Sequence, residues 1–546
     1  MCAVAMLCLL MTSPVFGQAV NEHGNPMKLA PRPTTRAITV EDMKTRLYIF
    51  ADDSMQGRQT GREGNMKGTA YIARELARLG LQPAGDNGTF FQALPYVVRK
   101  FTPNSTLTVD GQALRWLEDW VATPGRVAPR PIDGAQVIYG GVAGDTVNQI
   151  TREQAAGKLV VLSPAPPGAG RGGQGRGGGR GGGGRGGAGG VAARFAIAAG
   201  IATIDLNALT PRARALINNP AGALTQPNSP VPEAGPANLR ITREAAAKLI
   251  GRSLDGLAPG TTGGKVTARL DFVEQPVPEY GRNVVAIVRG SDPALRGQYV
   301  AVGSHNDHVG FLANPVEHDS ARAAATARLR LQMGAGELRE LTQDETAGIR
   351  VNVDSLRRVR PARPDSIRNG ADDDGSGSMA MLEIAEALAI AATKPRRSVI
   401  FVWHTGEEGG LSGSRWFVEN PTVPRDSIVT QINMDMIGRG RATDIPGGGD
   451  DYLAVVGSSM LSTELGEMVK AVNQKQPKPF RLDYRFDSQT TWPGYNNIYG
   501  RSDHANYARR NIPIAFFFTG LHQYYHQVTD EPQYIDYPHY PAITRY

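Results

Sequence analysis

Apolar and polar positions follow two different periods along the chain. In GNMKGTAYIARELARLGL (64–81), apolar residues recur at helical spacing and Gly80 follows as a stop signal. From residue 283 onward, runs that are apolar on both faces alternate with helical patterns at 376–393 and 461–474. The runs are NVVAIVRG, QYVAVGSH, RSVIFVWHTG, SIVTQINMDMIG, YLAVVGSS and IPIAFFFTG. This alternation predicts a three-layer α/β fold around a mixed, mostly parallel sheet.

Two segments depart from this pattern. Residues 105–275 are rich in Pro, Gly and short β-like runs, and they contain a tract at 168–190 with sixteen glycines and four arginines. Such a composition cannot form a packed core, so we expect a disordered Gly/Arg loop. The alternative, an RNA-binding tract, usually carries interleaved aromatic residues, and this tract has none. Residues 313–369 show helical stretches but no strand pattern, and we interpret them as an insertion.

Charge and composition exclude several classes of protein. The formal net charge is +7, from 59 Lys+Arg against 52 Asp+Glu, and much of the excess lies in the two unusual segments. No basic stripe on a folded element indicates nucleic-acid binding. Apart from the N-terminus, no stretch approaches the ~18 apolar residues of a membrane span.

The N-terminal run MCAVAMLCLLM, followed by TSPVFGQAV, is typical of a secretory signal peptide, which we place at 1–17. The alternative is a buried N-terminal strand. We therefore expect an exported protein, periplasmic or secreted. Both cysteines, Cys2 and Cys8, lie in this segment, so the mature chain has neither a disulfide nor a thiolate metal ligand.

Eight of the nine histidines lie after residue 304, and the polar motifs among them follow predicted strands. Functional groups in α/β sheets gather at the carboxyl ends of strands. In SHNDH, His305 and Asp307 share one face, and a carboxylate commonly orients a metal-binding imidazole. The alternative for this motif alone is a solvated strand end.

The acidic motifs favour a metal more strongly. In GADDDGSGS, the carboxylates of Asp372, Asp373 and Asp374 repel one another unless a cation neutralises them. Capping of the following helix explains one of the three, and a metal explains the remainder. In HTGEEGG, Glu407 and Glu408 point in different directions, so one can bind metal while the other acts as general base.

Two further residues complete the predicted set. Asp435 stands alone in an apolar strand, where an unpaired carboxylate is costly. His526, in YYHQVTDEP, supplies a second imidazole. Two imidazoles and three carboxylates suit a pair of zinc ions. The predicted ligands are His305, Asp373, Glu408, Asp435 and His526.

The motifs SHNDH, GADDDGSGS, HTGEEGGLSGS, NMDMIG, GRSDH and YHQVTDEP resemble, in this order, those of the co-catalytic zinc aminopeptidases of the transferrin-receptor and glutamate-carboxypeptidase superfamily. The resemblance implies a zinc-exopeptidase domain formed by 38–104 and 276–546. It also implies a role for each residue: His305 and Asp435 on one zinc, Glu408 and His526 on the other, Asp373 as bridge, Glu407 as general acid/base, Asp307 orienting His305, and the Tyr525 hydroxyl stabilising the oxyanion.

Residues 105–275 resemble a protease-associated domain inserted in the peptidase, with GKLVVL as a strand and ARFAIAAGIATI as an Ala/Gly-rich helix. The insertion at 313–369 leaves the scaffold between two predicted ligands. We therefore expect it to cover the zinc site and to restrict the length of the substrate.

The resulting hypothesis is a two-zinc aminopeptidase acting on peptides through a di-zinc-bound hydroxide, with Glu407 as general base. A carboxypeptidase is an alternative, because Arg501 or the Arg-rich insertion could hold a substrate carboxylate. A glutaminyl-cyclase-like enzyme uses one zinc and lacks the first imidazole, so His305 and Asp435 argue against it. A non-catalytic binding homologue is the alternative from another class.

Overall fold

The computed structural model of the chain describes residues 20–123, 129–145, 147–164, 194–209, 223–224, 235–277, 280–334 and 337–546. The predicted signal peptide at 1–17 and the Gly/Arg loop at 168–190 lie outside these residues. None of the helices in the described ranges is long and apolar enough to cross a bilayer.

The N-terminal segment contributes two helices and two short strands to the peptidase-like sheet: α1 (Val40–Phe50), α2 (Glu63–Arg78), β1 (Gln82–Pro83) and β2 (Phe91–Ala93). Helix α1 begins at a capping box, in which Thr39 and Asp42 each accept the other's backbone N–H. Helix α2 confirms the helix predicted from the apolar spacing, and its Ile72 and Leu76 are fully buried.

Residues 105–275 supply all eight strands of a second sheet, which has its own core. The elements from β3 onward are β3 (Tyr96–Phe101), β4 (Thr106–Val109), β5 (Gln112–Leu114), β6 (Trp120–Thr123), β7 (Ile132–Val142), α3 (Arg152–Ala155), β8 (Leu159–Ser163), β9 (Gly200–Ile204), β10 (Ala223–Leu224), β11 (Ala237–Ile241), α4 (Arg243–Ile250), β12 (Thr262–Arg269) and β13 (Phe272–Pro276). The strand order is β5-β4-β12-β7-β8-β9-β11-β6. Trp120, Val137 and Leu159 are fully buried in its core.

One prediction in this region is wrong in part. ARFAIAAGIATI was expected to be helical, but its second half is β9, which pairs in parallel with β8 and β11. A short run that is apolar on both faces does not distinguish a buried strand from a buried helix. GKLVVL does form the predicted strand, as β8.

The remainder of the chain builds the larger sheet and its helices. The elements are β14 (Arg282–Val288), β15 (Tyr299–His305), β16 (Phe311–Glu317), α5 (His318–Gln332), α6 (Gln343–Gly348), α7 (Val353–Val359), β17 (Pro364–Ile367), α8 (Gly377–Ala389), β18 (Ser398–His404), α9 (Ser412–Glu419), β19 (Ile428–Met434), β20 (Tyr452–Val456), α10 (Thr463–Gln474), β21 (Arg481–Asp483), β22 (Ile514–Phe518), α11 (His504–Ala508, before β22) and α12 (Tyr540–Arg545).

The strand order of the larger sheet is β1-β14-β18-β15-β19-β22-β20-β21, with β2 also pairing with β14. The four central strands, β18, β15, β19 and β22, are parallel. β14 and β20 flank them in antiparallel orientation. The expected mixed α/β sheet is confirmed, with its parallel part at the centre.

Alternate residues of the central strands explain why both faces of this sheet are covered. Phe401 and Trp403 pack into a core with α1, α2 and α8, whereas Ile400 and Val402 pack on the opposite side with α9 and α11. Because successive side chains of a strand point to opposite faces, a run that is apolar throughout needs helices on both. The three layers follow directly from that pattern.

The insertion at 313–369 contains α5, α6 and α7, as its helix-forming composition predicts. The expectation that it has no strand is wrong, because β16 and β17 pair in antiparallel orientation at its base. The sequence of β17, PDSI, is too short and polar to show a strand period. This pairing brings the two ends of the insertion together.

A buried ion-pair cluster joins α1, α2 and α8. The fully buried Arg46 guanidinium donates to Glu383, Glu386 and Glu75, the last at 3.1 Å. Removing one partner of a buried pair leaves an uncompensated charge and costs about 3–5 kcal/mol.

We therefore expect Arg46→Met to lower the free energy of unfolding of this domain by about 3 kcal/mol or more. Arg78→Met is the matched control: its side chain contacts Glu75 and Glu386 but is 48% exposed, so the loss should stay below about 1 kcal/mol. Urea unfolding followed by intrinsic fluorescence measures both. Equal losses would show that Arg46 is not the anchor of this layer.

Candidate metal centre

The predicted ligands meet at the carboxyl edge of the central parallel strands. His305 is the last residue of β15, Glu407 and Glu408 follow β18, and Asp435 follows β19 directly. Asp373 lies in the turn before α8, and His526 lies in the loop after β22. Neighbouring parallel strands end at the same edge of a sheet, so residues distant in sequence become neighbours.

Asp373 lies between two imidazoles. Its Oδ1 atom is 3.1 Å from Nε2 of His305, and its Oδ2 atom is 2.9 Å from Nε2 of His526. The Asp435 carboxylate is 3.6 Å from the same His305 nitrogen, and Glu408 Oε1 is 2.9 Å from the His526 nitrogen. The two oxygens of one carboxylate therefore face two different sets of side chains.

A residue outside the predicted ligand set joins this cluster. Nδ1 of His308 lies 3.0 Å from Oε1 of Glu408 and 3.6 Å from Oδ2 of Asp373. Four ligand-type atoms, from His308, Asp373, Glu408 and His526, all lie within 4.8 Å of one another. His308 is the last residue of the SHNDH motif, and its place in that motif was the only sequence signal for it.

Asp372 and Asp374 are held by contacts within the protein. Asp374 accepts the backbone N–H groups of His305 at 3.0 Å and Gly377 at 2.8 Å. Asp372 accepts the N–H of Gly438 at 2.6 Å and lies 3.2 Å from Nε2 of His522. Asp373, by contrast, lies between the His305 and His526 imidazoles. Asp374 also has an oxygen in one group with His305 and Asp435 that could hold a metal ion. The expectation that a metal accounts for two of the three aspartates therefore stays a prediction.

The contacts of His305 fix the orientation of its ring. Nδ1 is 3.0 Å from the backbone carbonyl of Asp307 and 3.7 Å from the Asp307 carboxylate. An N–H on Nδ1 directed at this carbonyl leaves Nε2 free to face Asp373 and Asp435. The Asp307 carboxylate instead accepts from the Thr60 hydroxyl at 2.9 Å and from the Glu407 N–H at 3.1 Å.

Glu407 is half-buried, and a tight turn after β18 places it. Gly406 has φ +77°, and a Cβ there would lie 2.1 Å from the Ser412 hydroxyl, so only glycine fits. Burial, together with the negative charges of Glu408 and Asp435, raises the pKa of Glu407 well above its ordinary value. A carboxylate with a raised pKa is suited to exchange protons near neutral pH.

Tyr525 stacks on the neighbouring His526 ring, with ring centroids 3.8 Å apart. Its hydroxyl accepts a long hydrogen bond from Arg501 at 3.4 Å. Burial raises the pKa of Tyr525 well above its ordinary value, so the hydroxyl stays protonated and can donate a hydrogen bond.

The donor set fits bound metal ions. Burial opposes the ionisation of Glu408, but the neighbouring His526 outweighs it and lowers the pKa of Glu408 to about 2. The pKa of His526, which burial would lower, is raised to about 10 by Glu408 and Asp373. The buried carboxylates therefore favour a positive charge at this position. Three atoms have no hydrogen-bond partner among the described residues: Oδ2 of Asp373, Oε1 of Glu408 and Nε2 of His526. Nitrogen and oxygen donors without thiolate suit zinc.

A comparison with models of known protein families covers the same residues. The model of Peptidase family M28 matches residues 283–546. That range contains all five predicted ligands together with Glu407, Asp307 and Tyr525.

Residues 283–546 are thus similar to peptidase family M28.

Individual relatives match the M28 domain over shorter stretches. Leupeptin-inactivating enzyme 1 of Streptomyces exfoliatus is 30% identical over 159 residues, 29% of this chain and 31% of that protein. Leucine aminopeptidase 1 of Paracoccidioides brasiliensis (strain Pb18) is 29% identical over 178 residues, 31% of this chain and 42% of that protein. The match therefore spans less than half the length of either curated relative.

Solved structures align along most of the chain at low identity. An aminopeptidase from Aneurinibacillus sp. strain AM-1 aligns with TM-score 0.46 and 15% identity, covering 93% of this chain and 92% of that one. A zinc aminopeptidase from Bacillus subtilis aligns with TM-score 0.44 and 15% identity, covering 94% and 95%.

A buried arginine outside the matched range supports the centre of the M28 domain. The Arg58 guanidinium donates to the carbonyls of Phe50, Asn306, Asn369 and Gly370 at 2.6–3.2 Å. It thereby ties the loop after β15 to the turn that carries Asp373. Sequence reasoning missed Arg58, because a lone arginine in a loop carries no periodic or motif signal.

We expect Arg58→Met to weaken zinc binding by about 10–100-fold, the usual cost of losing a residue that orients ligands. Arg62→Met, the same change at a half-buried arginine four residues away, is the control and should leave zinc affinity unchanged. Competition with a chromophoric chelator measures both. Equal affinity in the two variants would show that Arg58 does not position the centre.

Proposed function

We propose that the chain is a metal-dependent aminopeptidase that removes N-terminal residues from peptides. Two zinc ions would be held by His305, Asp373, Glu408, Asp435 and His526, with Asp373 between them. The observation that carries the proposal is the placement of Asp373, whose two oxygens face His305 and His526 at 3.1 and 2.9 Å. The M28 match and the aminopeptidase names of the relatives support it.

Zinc ions bound at such a pair of positions supply Lewis acidity and lower the pKa of water. Glu407 accepts a proton from the attacking water and returns it to the amine that leaves. The Asp307 carboxylate holds the Glu407 backbone by accepting its N–H at 3.1 Å. The protonated Tyr525 hydroxyl donates to the oxygen that becomes negative as the carbonyl is attacked.

The substrate's free amine is positively charged, and the carboxylates around the centre provide the complementary charge. An aminopeptidase should therefore release amino acids from peptides with a free N-terminus and not from the same peptides after N-acetylation. The carboxypeptidase alternative predicts that acetylation has no effect. We also propose that the protein is exported, on the basis of the apolar run at 1–17.

The two adjacent glutamates provide a matched test of roles. Glu407→Gln should lower kcat by about 10²–10⁴-fold while leaving zinc content at two per chain, because an amide of nearly the same size cannot accept the proton. Glu408→Gln should lose zinc, because it alters a ligand. Metal analysis and peptide hydrolysis on both variants measure this. Zinc lost from Glu407→Gln and kept in Glu408→Gln would reverse the two assignments.

The insertion is proposed to limit substrate length, since it contacts the loop that carries Tyr525 and His526. The Thr326 hydroxyl hydrogen-bonds the Tyr524 hydroxyl at 2.8 Å, and Leu338 and Tyr525 pack against the same apolar cluster. Both contacts support a position of the insertion beside the proposed centre.

Replacing 319–363 by a short Gly/Ser linker, with the β16–β17 pair retained, should keep zinc content and dipeptide hydrolysis. The rate on decapeptides relative to dipeptides should rise several-fold, because the cover over the site is removed. Thr326→Val in the intact chain is the control for loss of a single contact. An unchanged length preference after the replacement would show that the insertion does not restrict access.

A further inference from the structure

We propose that His308 is a fourth protein ligand at one of the two zinc positions, so that the positions differ in their number of protein ligands. This inference rests on the zinc centre of the proposed function, and it concerns binding rather than turnover. One position has His305, Asp373 and Asp435. Asp374 lies in the same group, but each of its two oxygens already accepts a backbone N–H, so we do not count it as a ligand. The other position has His308, Asp373, Glu408 and His526.

The spacing of the donor atoms supports a four-ligand position. Ligands about 2.0–2.2 Å from a tetrahedral zinc ion lie about 3.3–3.6 Å from one another. Nδ1 of His308 is 3.0 Å from Glu408 Oε1 and 3.6 Å from Asp373 Oδ2. Nε2 of His526 is 2.9 Å from each of the same two oxygens. Three of these four separations are a few tenths of an ångström shorter than in a tetrahedral site, so the donors would move slightly apart around an ion. The His308 nitrogen lies within 4.8 Å of the other three donor atoms and completes a compact set of four.

Hydrogen bonding within the protein does not account for the buried His308 ring. The side chain is fully buried, and neither ring nitrogen has a hydrogen-bond partner among the described residues. A buried imidazole without partners is costly. Nδ1 lies 3.0 Å from the Glu408 oxygen without the geometry of a hydrogen bond, and a cation bound by both atoms would satisfy them together.

The backbone holds this ring in place without any ligand. The His308 N–H donates to the carbonyl of Arg58 at 3.2 Å. On the other side, a Cβ at Gly370 would lie 2.5 Å from Cγ of His308. The absence of a side chain at Gly370, which has φ +56°, makes the room that the imidazole occupies.

Because they differ in their number of protein ligands, the two zinc positions should have different roles. Structural zinc sites have four protein ligands, whereas catalytic sites have three and keep one place open. The position with His308 is closed in this sense, and it should bind zinc more tightly. The position with His305 and Asp435 keeps the place where water and substrate exchange.

X-ray absorption at the zinc edge on the wild-type protein tests the inference directly. With two zinc ions bound, the spectrum should show three imidazoles for two zincs, from His305, His308 and His526. Two imidazoles for two zincs would overturn the proposal and leave the two-zinc aminopeptidase standing. Failure to bind zinc at all would instead contradict the proposed function.

The zinc affinity of variants, measured by chelator competition, tests the inference independently. His308→Phe keeps a ring of similar size and removes the donor atom. The affinity for the more tightly bound zinc should therefore fall by about 100-fold or more. Losing a residue that only orients a ligand costs less, about 10–100-fold. His504→Phe is the matched control, because His504 is buried, stacks on Phe516 and lies outside the cluster. A loss below 10-fold in His308→Phe would show that His308 only contributes charge. If His308→Phe does not fold, the wild-type imidazole count decides alone.

Discussion

Buried carboxylates of like charge, collected at one edge of the sheet, are the constraint on which the rest of this structure depends. Asp373, Glu408 and Asp435 lie together in an environment where an unneutralised charge is expensive. Imidazoles surround them, and each carboxylate has an imidazole nitrogen within 3.6 Å. Bound metal ions would neutralise the carboxylates and leave the imidazoles neutral, and the segment that contains this cluster matches the model of Peptidase family M28.

The surrounding protein keeps that cluster assembled by satisfying backbone groups. Asp374 binds the N–H groups of His305 and Gly377, and Asp530 accepts the N–H groups of Asp372 and Asp373 at 3.1–3.2 Å. Arg58 donates to four carbonyls, two of which, those of Asn369 and Gly370, lie at the start of the same turn. In the acidic motif before α8, Asp373 lies between His305 and His526, and Asp372 and Asp374 accept backbone N–H groups that hold the turn.

Much of this could be predicted from sequence, for identifiable reasons. Runs apolar on both faces predict buried strands, and polar motifs directly after them predict a site at one edge; β15 with His305 and β19 with Asp435 follow this rule. The roles of individual residues within a motif were harder to predict from the sequence. Adjacent aspartates differ only in the backbone groups they meet, and His308 differs from other loop histidines only in a neighbour about 100 residues away. Arg58 and the β16–β17 pair depend wholly on tertiary contacts.

Anomalous diffraction from crystals of the zinc-loaded protein, recorded on both sides of the zinc edge, tests the central claim most directly. The account predicts two anomalous peaks, one beside His305 and Asp435 and one beside Glu408 and His526, with Asp373 between them. A single peak, or peaks that do not contact Asp373, would contradict it.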